Sequence, residues 1–178
     1  MLLITINTLK INIWRTCTYT YYCEMLQDDD YFMALAVLAS KRSPDPNTKV
    51  GACILDKNKN VSALGFNRFP RGCQNFPWSR EGEMLETKYA YILHAETDAL
   101  TKKTLNVEGG ELYVTLFPCN ECAKLVIESG ITKVTYLSNK YEDTDAVKAS
   151  RKLLEAAGIK YIKFEPKGND KVELNLKD

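Results

Sequence analysis

The stretch ELYVTLFPCNECAKLVIESGITKVTYL, residues 111–137, decides the fold. Glu111 to Leu116 reads as a strand, Pro118 to Glu128 as a helix that closes at Gly130, and Lys133 to Leu137 as a second strand. Downstream the order repeats, with a helix from Asp143 to Ala157 ended by Gly158 and a last strand from Ile159 to Phe164. Strands joined through a helix run parallel, so this half is a βαβαβ series. Upstream, the short apolar runs Val50 to Leu55 and Val61 to Phe66 flank the turn-prone Asp56-Lys57-Asn58-Lys59-Asn60 and predict a hairpin. Before it, Asp28, Asp29 and Asp30 offer an N-cap and first-turn charge to a helix whose residues 31–39 are apolar nearly all round, and Pro44 stops it. The expected class is α/β: a three-layer fold with a five-stranded mixed sheet and helices on both faces.

Within that frame, His94 is the only histidine of the chain. It opens His94-Ala95-Glu96, and Pro118-Cys119-Asn120-Glu121-Cys122 follows. One imidazole and two thiolates can hold a tetrahedral zinc with its fourth position open, which separates a catalytic zinc from a structural one. Cys119 and Cys122, three apart at a helix start, point to one side, and the helix N-terminus favours their thiolates; Pro118 is expected at the first helical position. His94 and Glu96 are two apart, which in mid-helix sends them to opposite faces, so this motif also belongs at a helix start. Zinc held this way lowers the pKa of its water from about 15.7 to near 7. Glu96 is then free to take the displaced proton and return it, which suits hydrolytic loss of ammonia from an amidine-like carbon. His-x-Glu followed by Pro-Cys-x-x-Cys is the pattern of zinc-dependent deaminases. A structural zinc closed by Asp98 is the competing reading, and it leaves Glu96 without a role.

Bulk properties set outer limits. The 178 residues, 45% of them hydrophobic, suit one domain with a substantial core. Charges nearly cancel, 24 basic against 23 acidic, which argues for a small substrate and against a nucleic-acid partner. Six cysteines, two in a metal pattern, fit a reducing and hence intracellular setting better than a disulfide framework. Cys53, in an apolar strand, reads as a core residue, and Cys17, Cys23 and Cys73 have no tight metal spacing. No apolar run approaches the roughly twenty residues that cross a bilayer, so no membrane is expected. Residues 1–27 read as an extension outside the domain, 28–168 as the domain and 169–178 as a tail. The segment 67–83, rich in Pro, Gly and aromatics, reads as a loop covering a site, and Trp78, Tyr89 or Tyr91 as a stacking partner for a base or as packing.

From about residue 30 to about 165 the chain resembles the deoxycytidylate (dCMP) deaminases. The resemblance rests on Ser43-Pro44-Asp45-Pro46-Asn47-Thr48-Lys49-Val50-Gly51-Ala52, on Glu86-Thr87-Lys88-Tyr89, on His94-Ala95-Glu96 and on Phe117 to Lys124. It implies a cytidine-deaminase-like fold and conversion of dCMP to dUMP, the thymidylate precursor. It also implies a cytoplasmic homo-oligomer, a hexamer in the family, activated by dCTP with Mg2+ and inhibited by dTTP. Residue by residue, it makes His94, Cys119 and Cys122 the zinc ligands and Glu96 the proton shuttle. Asn67 becomes a sugar contact, with a turn-forming asparagine as its rival; Arg42 a phosphate contact, with helix-end charge pairing as its rival; and Tyr141 a residue of the substrate-side loop. Arg68 stands where the family usually has Gly, in the segment associated with effectors, where it would add a phosphate contact or block the effector. Deamination of cytidine or of an RNA base, and a deaminase-fold module that binds without turnover, stay open beside this reading.

Overall fold

The structure, a computed structural model, describes residues 26–167. All but the end of the expected N-terminal extension, Cys17 and Cys23 within it, and the expected tail lie outside the described residues. The elements are α1 (Asp28–Ser40), β1 (Gly51–Leu55), β2 (Val61–Phe66), α2 (Ala95–Lys102), β3 (Glu111–Leu116), α3 (Asn120–Glu128), β4 (Lys133–Ser138), α4 (Asp145–Ala156) and β5 (Lys160–Lys163). Two short 3-10 turns, Met84–Glu86 and Lys88–Ala90, lie in the long connection before α2.

The five strands form one mixed sheet in the order β2-β1-β3-β4-β5. β1 pairs antiparallel with β2 and with β3, while β3–β4 and β4–β5 are parallel, as expected where α3 and α4 cross over. Alternation along the strands sorts two cores. Ala52, Ile54, Leu112, Val114 and Val134 face α2, α3 and α4, which add Ala95, Ala99, Ala123, Val126, Val147 and Leu154. Cys53, Leu55 and Tyr113 face α1, which adds Phe32, Met33 and Ala36. Helices therefore cover both faces, three on one side and one on the other.

Two glycines seat helices on the sheet. A Cβ at Gly65 would lie 2.2 Å from the Ala95 carbonyl oxygen and 2.5 Å from the Ala99 nitrogen, so α2 rests directly on β2 there. On the other face, a Cβ at Gly51 would lie 1.9 Å from the Ala36 carbonyl oxygen of α1. Only hydrogen fits at either contact.

Three local expectations are corrected. The N-cap of α1 is Gln27, and all three aspartates lie in the first turn, where Asp29 accepts hydrogen bonds from Tyr113 and Lys167. The apolar run of residues 31–39 leads one to expect a buried helix, but α1 is not buried all round, because Tyr31 and Leu38 are 46% and 48% exposed on its outer side. Pro118 lies before the helix, since Cys119 is the N-cap of α3.

Candidate active site

His94 and Cys119 occupy equivalent places. Each is an N-cap with extended backbone, φ −73° and ψ 157° for His94, φ −73° and ψ 172° for Cys119, and neither side chain caps its own helix. An N-cap side chain normally spends itself on the first-turn amides. Here both stay free and face each other across the gap between α2 and α3. His94 Nδ1 lies 3.4 Å from Cys119 Sγ and 3.3 Å from Cys122 Sγ. Zinc bond lengths and tetrahedral angles require about 3.6 Å between such donors, so the three atoms already fit one ion. They form the metal-ligating cluster found among the described residues. Asp98, the alternative fourth ligand, is spent elsewhere: fully buried, it accepts from Arg68, Lys102 and the Phe66 amide.

The electrostatics suit a cation. The Cys119 pKa is lowered to about 4, first by a hydrogen bond from Cys122, with His94 assisting and burial opposing. His94 is raised to about 9, chiefly by its hydrogen bond with Cys119 and against burial. Cys122 is raised by donating to Cys119 and by burial. Glu96, in the first turn of α2 and 4% exposed, is raised above the usual carboxyl range by burial, and further by the Cys119 charge, while His94 pulls it down. A bound metal takes the place of the ligand protons.

A cavity of about 440 Å³ opens above this cluster. His94, Glu96 and Cys119 line its floor, and Cys122 lies behind them. Asp45, Thr48, Val50, Asn67 and Lys88 form one wall, Arg80, Tyr89 and Tyr141 the rim, and Thr144, Ala146 and Val147 bring in the N-terminus of α4. At the rim, Arg80 donates to the Tyr89 and Tyr141 hydroxyls at 3.1 and 3.5 Å, and Lys140 donates to Thr48 Oγ1 at 3.3 Å. The Tyr141 hydroxyl is pulled up by burial but ends below its usual pKa, because Thr48, Lys140 and Arg80 outweigh that effect.

Of the sequence-predicted residues, the structure brings His94, Cys119, Glu96, Asn67 and Tyr141 to one cavity, with Cys122 beside His94 and Cys119. Arg42 is exposed, its guanidinium carbon 5.2 Å from the Phe66 ring centroid, and it is not among the residues that line the cavity. Arg68 turns inward instead, with Nε and Nη2 donating to Asp98 at 2.9 and 2.6 Å and Nη1 to the Phe69 carbonyl. Trp78 packs on Phe69 and Tyr91 stacks on Phe76, leaving Tyr89 as the aromatic of that trio whose hydroxyl meets the rim. Cys53 is a core thiol, pushed up to about 12 by burial. Sequence reasoning assigned no role to Arg80, Lys88 or Asp45; the last two stood in quoted motifs, but their pairing spans 43 positions and leaves no local signal.

A sheet that presents an imidazole, two cysteines and a buried carboxylic acid at facing helix starts defines the class: a deaminase of the metal-binding kind. Comparison with known proteins carries this further. Residues 26–138 match the model of the cytidine and deoxycytidylate deaminase zinc-binding region. The chain belongs to the cytidine and deoxycytidylate deaminase family. It is 48% identical over 152 residues to a probable deoxycytidylate deaminase of Drosophila melanogaster, covering 80% of this chain and 75% of that one. It is 46% identical over 148 residues to the deoxycytidylate deaminase of Homo sapiens, covering 81% and 83%. Among solved structures it is similar to the dCMP deaminase of cyanophage S-TIM5 in complex with dCMP and dUMP, with TM-score 0.59 and 31% identity over 75% of this chain and 94% of that one.

Proposed function

We propose that this chain hydrolyses dCMP to dUMP and ammonia, supplying dUMP for thymidylate synthesis. The observation that carries the reading is a buried Glu96 beside the His94, Cys119 and Cys122 donors on the floor of a cavity rimmed by Arg80 and Tyr141. The names of the similar deoxycytidylate deaminases support the same substrate.

His94, Cys119 and Cys122 would hold one Zn2+. When bound, the ion supplies Lewis acidity and an acidified water. Glu96 takes the proton released as water adds to C4 of the cytosine ring and passes it to N3. It then takes the proton of the new C4 hydroxyl and delivers it to the C4 amino group, so that the C–N bond breaks, ammonia leaves and C4 keeps the oxygen as a carbonyl. Burial of Glu96 favours its protonated form and so matches the donor half of this cycle. Asn67 meets the sugar through Oδ1, which accepts one bond from the Val50 amide and keeps a second lone pair, while its amide hydrogens go to Asp45 and Thr48. Arg80 and the α4 N-terminus, with the Tyr141 hydroxyl as a further donor and Lys140 bonded to Thr48 nearby, suit the 5′-phosphate, the role that family resemblance gives to Arg42.

Residues 28–168 form the catalytic domain in this proposal. Regulation by dCTP with Mg2+ and by dTTP, assembly into a homo-oligomer and a cytoplasmic setting enter it through family resemblance. The deciding assay is ammonia release by the zinc-loaded protein from dCMP, deoxycytidine and CMP in parallel, each with and without dCTP. Turnover confined to dCMP bears the proposal out. Preference for the nucleoside, or no turnover of any of the three, refutes it.

A further inference from the structure

Asp45 is fully buried, yet it is neither a metal donor nor within the proton path. Its carboxylate accepts from Lys88 Nζ at 2.5 Å, from Asn67 Nδ2 at 3.0 Å, and from the Asn47 and Thr48 amides at 2.8 and 3.1 Å. Lys88 is itself only 5% exposed. One carboxylate thus ties together three distant segments: the loop between α1 and β1, the end of β2 and the turn before α2. Each brings residues to the same cavity wall, namely Thr48 and Val50, Asn67, and Lys88. Buried charges are costly, and a simpler core would hold these segments without them.

The consequence falls on the Asn67 amide. Asp45 and the Thr48 carbonyl take its two hydrogens, so its oxygen must face the Val50 amide and the cavity. We propose that Asp45, neutralised by Lys88, is a positioning residue for substrate binding: it fixes the orientation of Asn67 and the Thr48–Val50 backbone, and thereby sets the KM for nucleotide. The inference rests on the substrate reading above. An asparagine at 45 has the same shape but only one acceptor oxygen. If that oxygen serves the Asn47 and Thr48 amides, its NH2 confronts the Asn67 and Lys88 donors, and Asn67 is driven to turn over. Lys88→Met leaves the acceptor for Asn67 in place.

The test compares zinc-loaded full chains of wild type, Asp45→Asn, Lys88→Met and the double variant. It measures kcat and KM on dCMP, with zinc content and thermal midpoint on the same samples. Asp45→Asn is expected to raise KM by about tenfold, the value of roughly one hydrogen bond, with kcat within about threefold, and to lower the midpoint. Lys88→Met lowers the midpoint with a smaller rise in KM. The double variant removes both charges, so its midpoint returns toward wild type while its KM stays raised. A KM that recovers together with the midpoint, or never moves, makes the pair a purely structural device and overturns the proposal. If Asp45→Asn does not fold, the double variant decides alone: a raised KM supports the inference and a wild-type KM overturns it. If wild type does not turn over dCMP, the substrate reading fails separately. Calorimetric dCMP binding then decides the positioning role, with weaker binding by the double variant in support and equal binding against.

Discussion

Replacing Gly65 by alanine should lift the helix that carries His94 and Glu96 off the sheet. The added methyl would sit 2.2 Å from the Ala95 carbonyl oxygen, and ordinary contact begins at 3.4 Å, so α2 must retreat by about 1.2 Å. The two nearest blocking atoms are backbone and the third is the Ala99 Cβ at 2.8 Å, so no rotamer change can move any of them aside. Overpacking of this kind costs about 1–3 kcal/mol of stability. The larger effect is on chemistry, because Ala95 stands between His94 and Glu96, and a misplacement of about 1 Å costs on the order of 100-fold in rate. Gly51→Ala is the matched comparison. Its methyl meets the Ala36 carbonyl oxygen at 1.9 Å but displaces α1, which brings no residue to the cavity. Denaturant unfolding and kcat on saturating dCMP should therefore separate the two: similar losses of stability, but a fall in kcat of about 100-fold for Gly65→Ala alone. A Gly65→Ala protein that keeps kcat within threefold while losing stability would refute the claim that this glycine positions the site.

Other substitutions test the remaining assignments. Glu96→Gln should keep zinc, as read by metal analysis, and lower kcat by about 100- to 10,000-fold; retained turnover would remove Glu96 from the proton path. Arg80→Met should lower kcat/KM for dCMP by about tenfold and leave deoxycytidine nearly untouched, whereas Arg42→Met should affect both equally and little. The Asp45 carboxyl is pulled up by burial but ends below its ordinary range, because Lys88 and the Asn47 and Thr48 amides favour its charge. The unfolded chain therefore binds this proton more readily, so the stabilisation is complete above about pH 4 and is lost as the pH falls through the lowered value. Denaturant midpoints measured from pH 5 downward should fall less steeply in Asp45→Asn than in wild type.

Much of the site was legible because its signals are local. Cys119 and Cys122 share one helical turn, and the two-residue step from His94 to Glu96 requires a helix start, as α2 has. The hairpin and the parallel crossovers follow from short apolar runs with turn residues or a helix between them. Cap positions slipped by a residue or two because the residues found there, Gln27 at α1 and Cys119 at α3, are not ones that N-cap preference favours, and neither caps its helix with its side chain. The surroundings of Arg42 were not legible for a different reason. Its direction depends on Phe66, far along the chain, and no period in the sequence records that contact. The Asp45–Lys88 pair and the rim position of Arg80 are tertiary in the same sense.

The donor set is divided between the two halves of the chain. Imidazole and carboxylate hang from the helix seated on the hairpin, and both thiols from the helix that follows β3. They meet only once β3 has aligned against β1, Ala52 opposite Val114 and Cys53 opposite Tyr113. Whatever ion the three donors hold can therefore be held only by a correctly registered sheet, so that metal content would report strand register.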